Sequence, residues 1–150
     1  MDGLAREWEI YVSDMGRDHQ GMRRRLSEVA SALEQLAQSH SLAKSAVDQL
    51  TNLRNWLAEH FASEEQAGAL LEARNYCPQV GMEVERIFAE HRQLLANLQA
   101  MLDALQQSER HIGHGVTEVC REFERFRTQM ERHEEAENSV VARAFGQLPD

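Results

Sequence analysis

Proline is almost missing from this chain: Pro78 and Pro149 are the two prolines in 150 residues. So few breakers permit very long helices, and Pro78 marks a place where one must stop. Strand patterning is missing too. No stretch alternates apolar and polar residues as a half-buried strand would, whereas the helix formers Ala, Leu, Glu, Gln and Arg dominate throughout. No segment approaches the roughly 18 consecutive apolar residues of a membrane span. The opening MDGLAREWEIYVSDMG lacks the basic start and apolar run of a secretory signal, so a cytoplasmic location is expected. Cysteine is limited to Cys77 and Cys120, too few for a disulfide framework. The turns place these two far beyond disulfide reach of each other. Either could link two chains or do nothing. Positive charge is scarce as well. The formal net charge is -9, which disfavours nucleic acid and anionic lipid as partners. The one basic run, Arg23 to Arg25, reads as a solvated helix face.

What remains is a length and an apolar fraction of 42% that suit one domain over residues 1–150 with a core of its own. Apolar residues recur at spacings of three and four along four segments. The first runs from near Gly3 to near Gln38. The second carries Leu42 through Leu71 and ends at NYCP. The third runs from Val80 or Gly81 to Leu105 and stops at HIGHG, where two glycines argue for a turn. The fourth carries Val116 through Ala144. Helices of about 30 residues would each be about 45 Å long. Joined by short turns, they predict an all-α, antiparallel up-down-up-down four-helix bundle. Gly16 and Gly21 flank His19 and mark either a bend or close packing there.

Polar residues interrupt the apolar faces. In TQMERHEEAENSVV, residues 128–141, His133 and Glu137 share a face with Met130 and Val140 or Val141. His19, His60 with Glu64, and His91 do the same on the other helices. Folding the chain at its turns brings all of them to one level: His19 and His60 each lie about 20 residues from the first turn. His91 and His133 lie about as far from the third. A histidine on an apolar face is more often a hydrogen-bonded core residue. Four at one depth, with two glutamates, are difficult to satisfy without a cation. Imidazole and carboxylate suit iron, manganese or zinc. Six ligands divide naturally over two ions, with carboxylates between them. A ferritin-like centre needs Glu-x-x-His pairs, and no histidine here has a glutamate three residues before it.

This constellation resembles the hemerythrin-like family over nearly the whole chain. The resemblance rests on His19 alone on the first helix, HFASE (His60 to Glu64) on the second, His91 on the third and HEEAE (His133 to Glu137) on the fourth. It implies a non-haem centre of two Fe ions with an oxo or hydroxo bridge. His19 and His60 would hold one ion, His91 and His133 the other, and Glu64 and Glu137 would bridge them. Leu95 stands where the family's oxygen carriers have a further histidine. Glu137 lies one residue short of their last carboxylate. Both departures point to a more open second ion, facing Leu95, and toward sensing or redox chemistry.

The expected partner is therefore a small diatomic ligand (dioxygen or nitric oxide) or peroxide, bound by a sensor, scavenger or carrier. A peroxidase- or catalase-like or oxidase enzyme, an iron storage or repair protein, and a chemically inert bundle are the alternatives. A homo-oligomer or an electron-donor protein would be a further partner. Tyr11, Met15 and Trp56 are expected to pack in the core near the site. Glu65, Glu134 and Glu135 are expected to point away to solvent. His40, His111 and His114 read as ordinary exposed histidines at one end of the bundle.

Overall fold

The computed structural model describes the backbone of residues 2–38, 43–108 and 115–146, and the side chains of 9–10, 13–37, 44–107 and 116–146. His40, His111, His114 and the side chain of Tyr11 lie outside these. Every element among the described residues is helical: α1 (Asp2–Gln38), α2 (Ala43–Gln66), α3 (Ala69–Tyr76), a 3-10 turn (Pro78–Val80), α4 (Gly81–Ser108) and α5 (Gly115–Phe145). The four long helices form an all-α bundle in which α1 packs on α2 and α5, and α4 packs on the same two. Among the described residues no helix is long and apolar enough to cross a membrane.

The buried positions follow the spacing of the sequence. On α1 they are Met22, Leu26, Val29, Leu33 and Leu36; on α2, Ala46, Leu50, Leu53, Leu57 and Phe61. Each large side chain so removed from water contributes about 1.5–3 kcal/mol. They meet Leu94, Leu98, Met101, Leu105, Phe123, Phe126 and Met130 in one apolar cluster. A second cluster joins Leu70 and Ala73 of α3 to Val80, Val84, Ile87, Val140, Val141 and Phe145.

One element departs from the sequence reading. The second helix does not continue to NYCP but stops at Gln66, and α3 starts afresh at Ala69. Gly68 between them has φ 112°, a conformation that side-chain-bearing residues rarely adopt. The apolar spacing runs straight through this point, so periodicity alone hides the break. Its consequence is that α3 packs against α5 and also touches α1, α2 and α4.

Gly16 and Gly21 lie within unbroken α1, and a Cβ at either would meet nothing within 4 Å, so close packing does not account for them. Neither Cys77 nor Cys120 is in a disulfide. Cys77 is buried in the second cluster, which removes it as a surface link between chains. The Cys120 thiol reaches the Leu33 carbonyl at 3.5 Å.

Candidate metal centre

The apolar series of each long helix passes through a polar layer between the two clusters. In that layer α1 contributes His19, α2 contributes His60 and Glu64, α4 contributes His91, and α5 contributes His133 and Glu137. His19, His91, His133 and Glu137 are at most 3% exposed. His60 and Glu64 are the more open pair, with side chains 11% and 18% exposed.

The two carboxylates organise the layer. Glu137 turns Oε2 to His19 Nε2 at 3.1 Å and Oε1 to His133 Nε2 at 2.9 Å. Its Oε1 also lies 4.0 Å from His91 Nε2. Glu64 turns Oε1 to His60 Nε2 at 2.7 Å and Oε2 to His91 Nε2 at 3.1 Å. Each glutamate therefore faces one histidine of the pair His19/His60 and one of the pair His91/His133. Glu64, His91, His133 and Glu137 each offer a ligand atom within 4.8 Å of all the others. His19 and His60 stand outside that tightest group and join it through the carboxylates' remaining oxygens.

Proximity does not satisfy these atoms. His60 Nε2, His91 Nε2, His133 Nε2, Glu64 Oε2 and Glu137 Oε1 are buried and lack a hydrogen bond of acceptable geometry. A buried polar atom left unmade costs about 1–3 kcal/mol, so five in one layer call for an unsatisfied demand to be met. Nitrogen and carboxylate oxygen without sulfur form the donor set of iron, manganese or zinc. The residues present fit such ions.

A second set of carboxylates lies behind the first. Glu65 on α2 meets His91 Nδ1 at 3.3 Å, and Glu90 on α4 meets His133 Nδ1 at 2.9 Å. Glu134 on α5 lies 4.0 Å from His19 Nδ1 and 3.6 Å from Arg23 Nε. A carboxylate accepting from Nδ1–H fixes the tautomer with a lone pair at Nε2, directed into the layer. None of these three contacts was read from the sequence, which sent Glu65, Glu134 and Glu135 to solvent; Glu65 and Glu135 are exposed as expected, and Glu65 reaches His91 from there. Glu134 is in fact 4% exposed. Each of the three glutamates is the sequence neighbour of a site residue and faces a histidine on the adjacent helix, Glu65 and Glu90 at hydrogen-bond distance and Glu134 farther off, a relation visible only once helix neighbours are known.

Aromatic rings pack the histidines in place. Phe61 stacks on His91 at 4.0 Å and meets His133 edge-on at 5.7 Å. Trp56 stacks on His60 at 4.9 Å, and the Arg25 guanidinium lies 4.5 Å from the Trp56 ring centre. Arg25 is thus half-buried on an aromatic ring, unlike the solvated face expected for the Arg23–Arg25 run. Met15 is half-buried beside the second cluster. Leu95 is only partly buried, at the edge of the first cluster.

Without a cation, protons gather here. Burial disfavours the charged imidazole of His91, but Glu137, Glu64 and Glu65 outweigh it and raise its pKa to about 9. Burial likewise opposes charge on His133 and His60, and Glu137 and Glu64 respectively reverse the shift upward. Burial would raise Glu137, yet His133, His19 and His91 hold it well below the usual carboxylate range. Burial raises Glu134, with His19 and Arg23 offsetting part of the rise.

A cavity of about 210 Å³ reaches the layer beside the α2–α3 break, lined in part by Asp14, Asp18, His60, Glu64, Gly68 and Glu137. The opening lies beside His60, and Leu95 is not part of its lining. In comparisons with known proteins, no family model, no curated protein and no solved structure matches this chain.

Proposed function

We propose that the chain is a hemerythrin-like, non-haem di-iron protein that binds dioxygen or a related small ligand, nitric oxide or peroxide, as a sensor, scavenger or carrier. The observation that carries the reading is the division of both carboxylates between two histidine pairs. Glu64 and Glu137 each turn one oxygen to His19 or His60 and the other toward His91 or His133. A single ion would need no such division, whereas two neighbouring ions bridged by carboxylates would. His19 and His60 would hold one iron and His91 and His133 the other, with an oxo or hydroxo bridge between them. When bound, the two irons would supply a redox-active site for the small ligand.

The chain's own residues do the rest. Glu65 and Glu90 hold the Nδ1 protons of His91 and His133, so that Nε2 is free to coordinate. Phe61 packs its ring on His91 and against His133, and the apolar clusters flank the layer along the bundle axis. The neighbour relations of α1 with α2 and α5, and the short connections, support an antiparallel up-down-up-down order.

The cavity beside His60 favours one second reading, a di-iron enzyme of peroxidase or catalase type, because it leaves room for a substrate next to the layer. The test is to load the protein with ferrous iron without air and mix it with dioxygen, nitric oxide or peroxide while following absorbance. The binding reading expects one absorbance change per centre without continued consumption. Sustained peroxide consumption would replace it with the enzyme reading. No spectral response to any of the three would refute both.

A further inference from the structure

We propose that the cavity beside the α2–α3 break is the route by which a divalent cation reaches the His/Glu layer, and that Asp18, aided by Asp14, is the charge that captures it. This rests on the metal-binding reading above but concerns residues that reading does not use.

The cavity is graded in charge from mouth to wall. Asp14 and Asp18 are exposed at its rim, and Glu64 and Glu137 line it further in. Glu137 is 2% exposed, and its Oε1 has no hydrogen-bond partner; Glu64 Oε2 is in the same condition. A cation drawn to the rim thus finds unsatisfied carboxylate oxygens in the cavity wall. Arg17 pairs with Asp14 and blunts its charge. Asp18 contributes to the field at His60, so its charge is felt at the layer itself. Among the described residues, the lining contains no lysine or arginine. Gly68 stops α2 one turn after Glu64, so the helix does not run on past the cavity wall.

Other approaches are worse for a cation. Along the bundle axis the layer is flanked by apolar clusters, where shedding water from an ion is very costly. A recess of about 250 Å³ on the α4–α5 side touches His133, but Arg132 lines it and Glu90 already occupies His133 Nδ1. The cavity at His60 combines charge opposite to a cation's with open access. Fields of this kind accelerate charged ligands by about 10- to 1,000-fold where many charges act together. One charge reversed at the rim should therefore be readable in a rate.

The experiment mixes metal-free protein with Co2+ in a stopped-flow instrument and follows quenching of tryptophan fluorescence, with Trp56 stacked on His60 as reporter. Wild type is compared with Asp18→Asn, Asp18→Lys and a control at an exposed acid elsewhere, Asp103→Asn. Because Asp18 is exposed, its variants should fold, which far-UV circular dichroism verifies. The expectation at low salt is loading slowed about threefold in Asp18→Asn and about tenfold in Asp18→Lys, with Asp103→Asn unchanged. The differences should shrink at high salt, and final stoichiometry should be the same in all four. Equal loading rates with full stoichiometry would overturn the route and leave the metal site standing. Loss of stoichiometry rather than rate in Asp18→Asn would make Asp18 a ligand and overturn its role as a capturing charge. Failure of wild type to take up Co2+ or Fe2+ at all would overturn the metal-binding reading and the route with it.

Discussion

Replacing Glu137 by glutamine keeps the size of the side chain and removes its charge, and the consequence can be worked from its neighbours. In the metal-free protein Glu137 lies 3.1 Å from His19, 2.9 Å from His133 and 4.0 Å from His91, and it favours the charged form of the last two. Removing one partner of a buried charged network costs about 3–5 kcal/mol, because the remaining charge is left without compensation. The His91 pKa, raised from 6.5 to about 9, sets a related ceiling of about 3 kcal/mol for the stabilisation that one imidazole contributes. For a chain of this size the loss corresponds to a melting temperature lower by about 10 °C.

The pH dependence gives the sign. A histidine whose folded pKa is raised contributes its full stability below the unfolded pKa and loses it as pH rises through the folded one. For His91 that window runs from 6.5 to about 9. Glu137 is depressed, so its contribution is complete above the usual carboxylate value of 4.5 and is lost as pH falls below it. The metal-free wild type should therefore be most stable near pH 5–6.5 and weaken toward pH 9. The deficit of Glu137→Gln should be largest in the first range and shrink in the second. Thermal melts followed by circular dichroism, at pH 6 and 9.5 in the presence of chelator, measure this. A variant as stable as wild type at pH 6, or a deficit that does not change with pH, would refute the reasoning.

Two further predictions bear on the support of the layer. Glu90→Gln should leave the fold intact but lower metal affinity by about 10- to 100-fold, since His133 loses the carboxylate that accepts from its Nδ1; competition with a chelator of known strength would show it, and unchanged affinity would remove Glu90 from the account. Gly68→Ala should destabilise by about 1–3 kcal/mol from backbone strain alone, because a Cβ there meets nothing within 4 Å while φ is +112°. Urea unfolding would register the change, and an unaltered midpoint would mean that the break tolerates an ordinary residue.

The site residues were legible because they occupy the apolar face without interrupting its rhythm. His19, His91 and His133 sit where a leucine would, three or four residues from buried neighbours such as Met22, Leu94 and Met130. Their common level followed from counting residues to the turns. The break at Gly68 was not legible for the same reason: Ala67 and Leu71 prolong the rhythm across it, and a glycine's positive φ leaves no mark in periodicity. The contacts of Glu65, Glu90 and Glu134 with the histidines escaped notice because each glutamate lies about 100° around its helix from the site face. They acquire their roles only from the helix next door, which a one-dimensional pattern does not contain. Leu95, four residues after His91, packs at the rim of the first cluster, and the cavity beside His60 owes its place to where α2 stops, which periodicity does not contain.

The central claim is that the divided carboxylates mark places for two metal ions. Its most direct test is iron content per chain after anaerobic loading with ferrous iron and removal of excess, by elemental analysis against protein concentration. The account predicts two irons per chain in wild type and fewer in both Glu64→Gln and Glu137→Gln, because each carboxylate serves both histidine pairs. A wild-type protein that retains one iron or none, or variants that still retain two, would contradict it.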